Sequence, residues 1–159
     1  MNRRHFAAAL AALLAAPRIA SSQKPEDSAK LGQWKLSDEQ WRKRLTPEQF
    51  AVLRQEATER PGSSALNQEK RKGTYVCAGC GLALFRSETK YESGTGWPSF
   101  YDFIPGALGT KTDFKIIYPR TEYHCIRCAG HQGHVFTDGP KPTGKRYCNN
   151  GVALKFVPA

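Results

Sequence analysis

Five cysteines set the chemistry open to this chain. Four of them form two Cys-x-x-Cys pairs, Cys77/Cys80 and Cys125/Cys128, and the fifth, Cys148, stands alone. A Cys-x-x-Cys pair can close into a tight knuckle that points two sulfurs at one place, with Gly79 and Gly81 easing the backbone round. Two knuckles supply the four thiolates of a tetrahedral zinc site. A pair of disulfides, or one redox-active dithiol, is the alternative use of the same residues. The two-residue spacing, repeated, favours a metal. Four cysteine ligands leave no coordination position open, so the expected role is structural. Such a site would tie together segments that stand 44 residues apart, residues 81–124 lying between the knuckles, and its loss would destabilise the fold.

Cys148 sits in Arg146-Tyr147-Cys148-Asn149-Asn150, just ahead of an expected strand. A cysteine left without a partner is a reactive thiol or half of an intermolecular bridge. Arg146 can favour the thiolate, and the asparagine amides can position a substrate. His131 and His134, three apart in Gly-His-Gln-Gly-His-Val-Phe, can polarise an oxygen or transfer a proton. Each can equally serve as a structural hydrogen-bonding group. In Gly94-Thr95-Gly96-Trp97-Pro98-Ser99-Phe100 the glycines suggest an exposed loop that presents Trp97 to a small apolar group. The alternative fate of Trp97 and Phe100 is burial in the core.

The elements that must hold these residues are short. Ser37 with Gln40, and Thr46 with Pro47 and Gln49, are the capping signatures of two helices. Phe50 and Leu53 would share an inward face, and Pro61-Gly62 would end the second helix. Residues 63–73 are polar and read as a loop. From Tyr75 onward the pattern is of short strands and turns. Phe114, Ile116 and Tyr118 alternate, as do Val152, Leu154 and Phe156. Asp138-Gly139-Pro140 and Pro142-Thr143-Gly144 are turn signals. With 14 Gly and 10 Pro in 159 residues, this makes one small antiparallel β domain preceded by helices.

The first residues read as an export signal. Arg3 and Arg4 precede an apolar run, Phe6 to Ala16, with small residues near a cleavage point at Ser22. The run is 11 residues, short of the roughly 20 a membrane span needs. The arginine pair followed by Phe6 matches a twin-arginine signal, with the general secretory route as the alternative. The expected organisation is a signal over 1–22, a linker over 23–35 and the functional domain over 36–159. The expected location is the bacterial periplasm, without stable membrane insertion once the signal is removed. The net charge of +10 falls to +7 without Arg3, Arg4 and Arg18. That excess fits a solvated basic surface or contact with acidic partners. Basic residues do not interleave with aromatics along one strand, which argues against a nucleic-acid-binding zinc ribbon. No thioredoxin-like βαβ pattern surrounds Cys77, which argues against a general dithiol oxidoreductase. Met1 is the only methionine, so the exported chain would hold none open to oxidation.

The two Cys-x-x-Cys pairs, Gly-Thr-Gly-Trp-Pro-Ser-Phe, Gly-His-Gln-Gly-His-Val-Phe-Thr-Asp-Gly-Pro and Arg-Tyr-Cys-Asn-Asn occur in one order and spacing. In this the chain resembles the methionine sulfoxide reductase B family from about Leu36 to Val157. The resemblance implies a mainly β fold of two antiparallel sheets with N-terminal helices and one structural zinc on Cys77, Cys80, Cys125 and Cys128. It implies reduction of the R epimer of methionine sulfoxide in oxidised proteins, and the expected form of the chain is a monomer. Cys148 falls on the nucleophile's position. His131, His134 and Asn150 fall on substrate-activating positions. Trp97 falls on the aromatic that receives the methyl group, with Phe100 beside it, and Arg146 and Asp138 fall on positions supporting the site. Thr95 stands where many members carry a resolving cysteine. A one-cysteine cycle is expected, with the Cys148 sulfenic acid reduced by an external thiol or a thioredoxin-like partner; resolution by a knuckle cysteine, at the cost of the zinc site, is the alternative. Gln132 replaces a usual apolar residue, and Gly151 a usual serine.

Overall fold

The computed structural model describes residues 33–116 and 118–159. The expected signal and most of the linker lie outside the described residues. Two short helices open the described chain, α1 (Asp38–Arg42) and α2 (Pro47–Gln55). Both begin with the capping boxes expected of them. Ser37 exchanges bonds with Gln40, and Thr46 with Gln49, each satisfying two backbone groups that a helix start leaves free. A cap of this kind stabilises by about 1 kcal/mol. Phe50, Val52 and Leu53 bury one face of α2.

The sequence places the end of α2 at Pro61-Gly62, but the helix stops earlier. Glu56 turns left-handed at φ 56°, and the Ala57 N–H returns to the Ala51 carbonyl. Lys111 and Lys115 bind the Glu56 carboxylate and fix the stop. Residues 57–62 are thereby released as an irregular segment toward Trp97. The polar stretch after it contains one 3-10 turn, Ala65–Gln68, capped by Ser64.

Nine strands follow: β1 (Gly73–Cys77), β2 (Ala83–Arg86), β3 (Lys90–Tyr91), β4 (Ser99–Phe100), β5 (Leu108–Asp113), β6 (Arg120–Cys125), β7 (His131–Phe136), β8 (Arg146–Asn149) and β9 (Leu154–Pro158). They form two antiparallel sheets, one ordered β2-β1-β9 and one ordered β3-β4-β8-β7-β6-β5. The fold is mainly β, as expected. An aromatic core joins the sheets: Phe85 stacks on Phe100 at 4.1 Å, and Tyr75, Tyr123 and Tyr147 pack edge-on or tilted around them.

Three expectations need correction. Phe100 is wholly buried in this aromatic core and is not exposed in a loop with Trp97. The alternation at Phe114, Ile116 and Tyr118 is not a strand; these side chains are 75%, 49% and 76% exposed at the tip of the β5–β6 hairpin. The strand ends at Asp113 because its carboxylate accepts the Lys115 N–H, an Asx turn that swings the chain out of the ladder. Cys148 lies inside β8 and not ahead of a strand; Val152 belongs to the 3-10 turn Gly151–Ala153 that separates β8 from β9.

Candidate active site and metal cluster

Strand register assembles the reactive groups. Cys148 on β8 pairs with His134 on β7, and on its other side with Ser99 on β4. Directly opposed residues project to one face of a sheet. The strands close tightly here because position 133 is glycine: a Cβ would lie 1.9 Å from the Cys148 carbonyl oxygen.

A spacing of three would put His131 and His134 on opposite faces of a regular strand. A bulge in β7 changes this. Tyr123 pairs with Gly133 and His124 with His131, leaving Gln132 as the extra residue. The two imidazoles therefore share one face, with ring centroids 5.5 Å apart. The bulge that gathers the histidines also sends Gln132 inward, where it is fully buried.

The histidines have different surroundings. His134 Nε2 lies 2.7 Å from Asp113 Oδ2, and Arg120 binds the same oxygen at 2.7 Å. Asp113 is held well below the usual carboxylate range, by the Lys115 N–H first and, against burial, by His134 and Arg120. His134 is shifted down because burial, helped by the charges of Arg120 and His131, outweighs the pull of Asp113. His131 is buried with Nδ1 2.8 Å from Glu122 Oε1, and among the described residues its Nε2 has no partner. Glu122 also takes His124 Nδ1 at 3.2 Å; burial raises its pKa, but the two histidines outweigh this and leave it lowered.

A cavity of about 110 Å³ opens at Cys148. Trp97 and Phe136 give it apolar walls, and His134, Arg120 and Asn150 give it polar ones. His131 is not among its lining residues. A larger cleft of about 710 Å³ lies on the far side of Thr58 and contains no thiol or imidazole. The reactive groups therefore belong to the smaller cavity.

Cys148 is half-buried, and Thr95 Oγ1 lies 4.0 Å from its sulfur. Burial pushes the thiol pKa up; the Thr95 hydroxyl, the Arg146 guanidinium and the Ser99 hydroxyl pull it down by less. The sequence suggests that Arg146 favours a thiolate. In the structure Arg146 is largely committed elsewhere, with two bonds to Asp138 at 2.9 and 2.8 Å and its guanidinium 4.3 Å from the centre of the Phe136 ring. Burial therefore favours the thiol over the thiolate. Its alkylation by iodoacetamide should be slower than that of free cysteine at pH 7. The rate should climb with pH through a midpoint above the ordinary thiol range, since the folded pKa is raised. Arg146→Met should move the midpoint higher still. A rate already level at pH 6 would contradict this.

The Asn150 side chain, which also lines the cavity, is held at both ends. Its Oδ1 accepts the Glu59 N–H at 3.0 Å, and its Nδ2 donates to the Gln132 carbonyl at 3.0 Å. These bonds fix the amide in the cavity wall and, among the described residues, leave one N–H and one lone pair free. Asn149 is buried behind Cys148, accepting from the Tyr123 hydroxyl at 2.9 Å and donating to the Asn150 carbonyl at 2.8 Å. Gly151 is explained by Ser64: a Cβ at 151 would lie 2.0 Å from Ser64 Oγ, so the two positions share one space.

The other four cysteines converge, all buried and none in a disulfide. Their sulfurs lie within 4.8 Å of one another, with 3.5 Å between Cys80 and Cys125 and 3.7 Å between Cys77 and Cys128. A tetrahedral ion with metal–sulfur bonds of about 2.3 Å needs sulfur–sulfur edges of about 3.8 Å, so the cluster fits a metal ion. Each knuckle closes alike: the Gly81 N–H returns to the Cys77 carbonyl at 2.8 Å, and the Ala129 N–H to the Cys125 carbonyl at 2.9 Å. The closing residues, Gly81 and Ala129, are both left-handed, at φ 73° and 54°. Gln132 reaches toward this cluster. Its Nε2 donates to Cys77 Sγ at 3.5 Å, and its Oε1 accepts from Asn149 at 3.4 Å, linking the cysteine cluster to the strand of Cys148.

Sequence reasoning missed Asp113, Arg120, Glu122, Phe136 and Glu59. The signal for the first and third was an acidic residue in a strand of a chain dominated by lysine and arginine. Their partners became visible only once β5, β6 and β7 were paired.

The structure is a mainly β domain with a four-cysteine cluster and a separate cysteine paired with a histidine at the edge of a small cavity, an arrangement that suits thiol chemistry. The SelR domain matches residues 45–158. A peptide methionine sulfoxide reductase MsrB of Methanosarcina barkeri is 58% identical over 121 residues, covering 76% of this chain and 85% of the relative. Those of Leptospira interrogans and Bradyrhizobium diazoefficiens are 55% and 53% identical, covering 92% and 88% of those relatives and 76% and 77% of this chain. The chain belongs to the SelR-domain family, that of the peptide methionine sulfoxide reductases MsrB.

Proposed function

We propose that this enzyme reduces methionine-R-sulfoxide in oxidised proteins, with Cys148 as the nucleophile. The observation that carries the reading is the pairing of Cys148 with His134 at a cavity walled by Trp97 and Phe136. The sulfoxide methyl group packs against the indole, and the sulfoxide sulfur meets Cys148 Sγ. His134 is the proton carrier, since it lines the cavity and His131 does not. Its Nε2–H donates to Asp113, which leaves Nδ1 to take the thiol proton as sulfur attacks and to give it to the sulfoxide oxygen. The carbon–sulfur framework of the substrate leaves as methionine, and the oxygen stays on Cys148 as a sulfenic acid. The sulfur of Cys148 is oxidised by two electrons and the substrate sulfur is reduced by two. An external thiol then attacks the sulfenic sulfur and releases water, and a second thiol frees Cys148 as a disulfide forms between the two. Thr95, next to Cys148, cannot act as a resolving thiol. The outside reductant is a small thiol or a thioredoxin-like protein. Asp138 and Arg146 hold Phe136 at the rim.

The ion we assign to the cluster of Cys77, Cys80, Cys125 and Cys128 is zinc, in a structural role. Residues 1–22 carry the proposal of twin-arginine export to the periplasm, with the domain acting as a monomer. The test of the activity is turnover of the two sulfoxide epimers with dithiothreitol as reductant. The R epimer should be consumed and the S epimer left. Equal consumption of both would contradict the reading.

A further inference from the structure

Glu59 lies in the irregular segment released by the early end of α2, and it makes four hydrogen bonds to two separate parts of the cavity wall. Its carbonyl accepts the Trp97 Nε1–H at 3.1 Å. Its N–H donates to Asn150 Oδ1 at 3.0 Å. Its carboxylate accepts the N–H groups of Gly151 at 2.6 Å and Val152 at 2.9 Å. Among the described residues no cation pairs with this carboxylate within ion-pair distance; its charge is spent on two consecutive backbone donors, and hydrogen bonds to a charged acceptor are the stronger kind. Gly151 permits the approach, because a Cβ there would lie 3.2 Å from Glu59 Oε1.

Trp97 and Asn150 both line the cavity, and Glu59 is bonded to each. The Trp97 loop is drawn to the same segment again where the Gly62 N–H meets the Gly96 carbonyl at 2.7 Å. From this we infer that Glu59 is a positioning residue that sets the distance between the indole and the β8–β9 connection, and so the fit of the cavity to the methyl sulfoxide group. Among the described residues it makes no hydrogen bond to the reacting sulfur or to the proton carrier. Its effect therefore falls on substrate binding and leaves thiol reactivity alone. The inference rests on the cavity being the sulfoxide site.

The test compares Glu59→Ala and Glu59→Gln with the unaltered chain. Glu59→Ala should raise KM for methionine-R-sulfoxide about tenfold, the factor that about 1.4 kcal/mol produces, with a smaller change in kcat. Glu59→Gln keeps one carbonyl oxygen for one of the two donors and should recover part of the loss. Amide hydrogen exchange at Gly151 and Val152 should quicken in both variants, while Cys148 alkylates at the unaltered rate. In a Trp97→Phe background, Glu59→Ala should add less to KM than it does alone, because the indole N–H it helps to hold is gone. Unchanged KM with unchanged exchange would overturn the inference. So would a loss of activity matched by an equal loss of Cys148 alkylation, which marks general disruption. If Glu59→Ala fails to fold, Glu59→Gln carries the comparison. Absence of sulfoxide turnover in the unaltered chain would instead strike at the proposed function, and the exchange at Gly151 and Val152 would still decide the clamp.

Discussion

Replacing Cys148 by serine should lower turnover of methionine-R-sulfoxide by at least about a thousandfold, the scale on which loss of a reacting nucleophile acts. Serine fits the space, so the fold should survive. It fails on chemistry. A hydroxyl is a far weaker nucleophile than a sulfur, and taking up the sulfoxide oxygen would require an O–O bond in place of an S–O bond. Cys148 is also separate from the four-cysteine cluster, so the variant should keep its metal and its circular dichroism spectrum. Enzyme assay and metal analysis on the same sample check this. Retained turnover would remove Cys148 from the mechanism, and lost metal would show that the two sites are not separate.

Replacing Cys77 by serine, or stripping the metal with a strong chelator under reducing conditions, should unfold the domain near room temperature. Structural zinc bound by small peptides contributes about 10–16 kcal/mol at pH 7, while a whole domain is stable by only about 5–15 kcal/mol. Losing even part of the former exhausts the latter. The cluster joins the β1–β2 connection to the β6–β7 connection, and so one sheet to the other. Through Gln132 it also holds Asn149 behind the reactive strand. Metal content by mass spectrometry, with thermal unfolding, measures both effects. A Cys77→Ser chain with one zinc and an unshifted Tm would refute the assignment.

The legible parts of the sequence were those governed by local rules. Ser37 and Thr46 announced both helices because capping depends on a few adjacent residues. The four clustered cysteines were legible because knuckle geometry depends on a two-residue spacing. What failed was whatever tertiary partners decide. The end of α2 depends on Lys111 and Lys115 meeting Glu56, more than fifty residues away. Phe114, Ile116 and Tyr118 keep a strand's alternation after an Asx turn at Asp113 has already taken the chain out of the sheet. Phe100 lies three residues after Trp97 in the motif and directly after Ser99 in β4; Ser99 pairs with Cys148, adjacent strand residues face opposite ways, and Phe100 enters the core. His131 and His134 stand three apart in the sequence, a spacing for opposite faces of a regular strand, and only the bulge at Gln132 puts both rings on one face. The pull of Arg146 on Cys148 was the right direction and the lesser effect, because Asp138 and Phe136 already engage the guanidinium.

The central claim is that Cys148 begins the cycle alone and ends it with outside help. A single-turnover experiment tests it most directly. The reduced, metal-loaded protein is mixed with excess methionine-R-sulfoxide in the absence of any thiol. The methionine formed is counted, and the chain is trapped with dimedone and mapped by mass spectrometry. The account predicts one methionine per chain, a dimedone adduct on Cys148 and no disulfide. A disulfide between Cys148 and a cysteine of the cluster, with release of the metal, would contradict it, as would methionine formed while Cys148 stays unmodified.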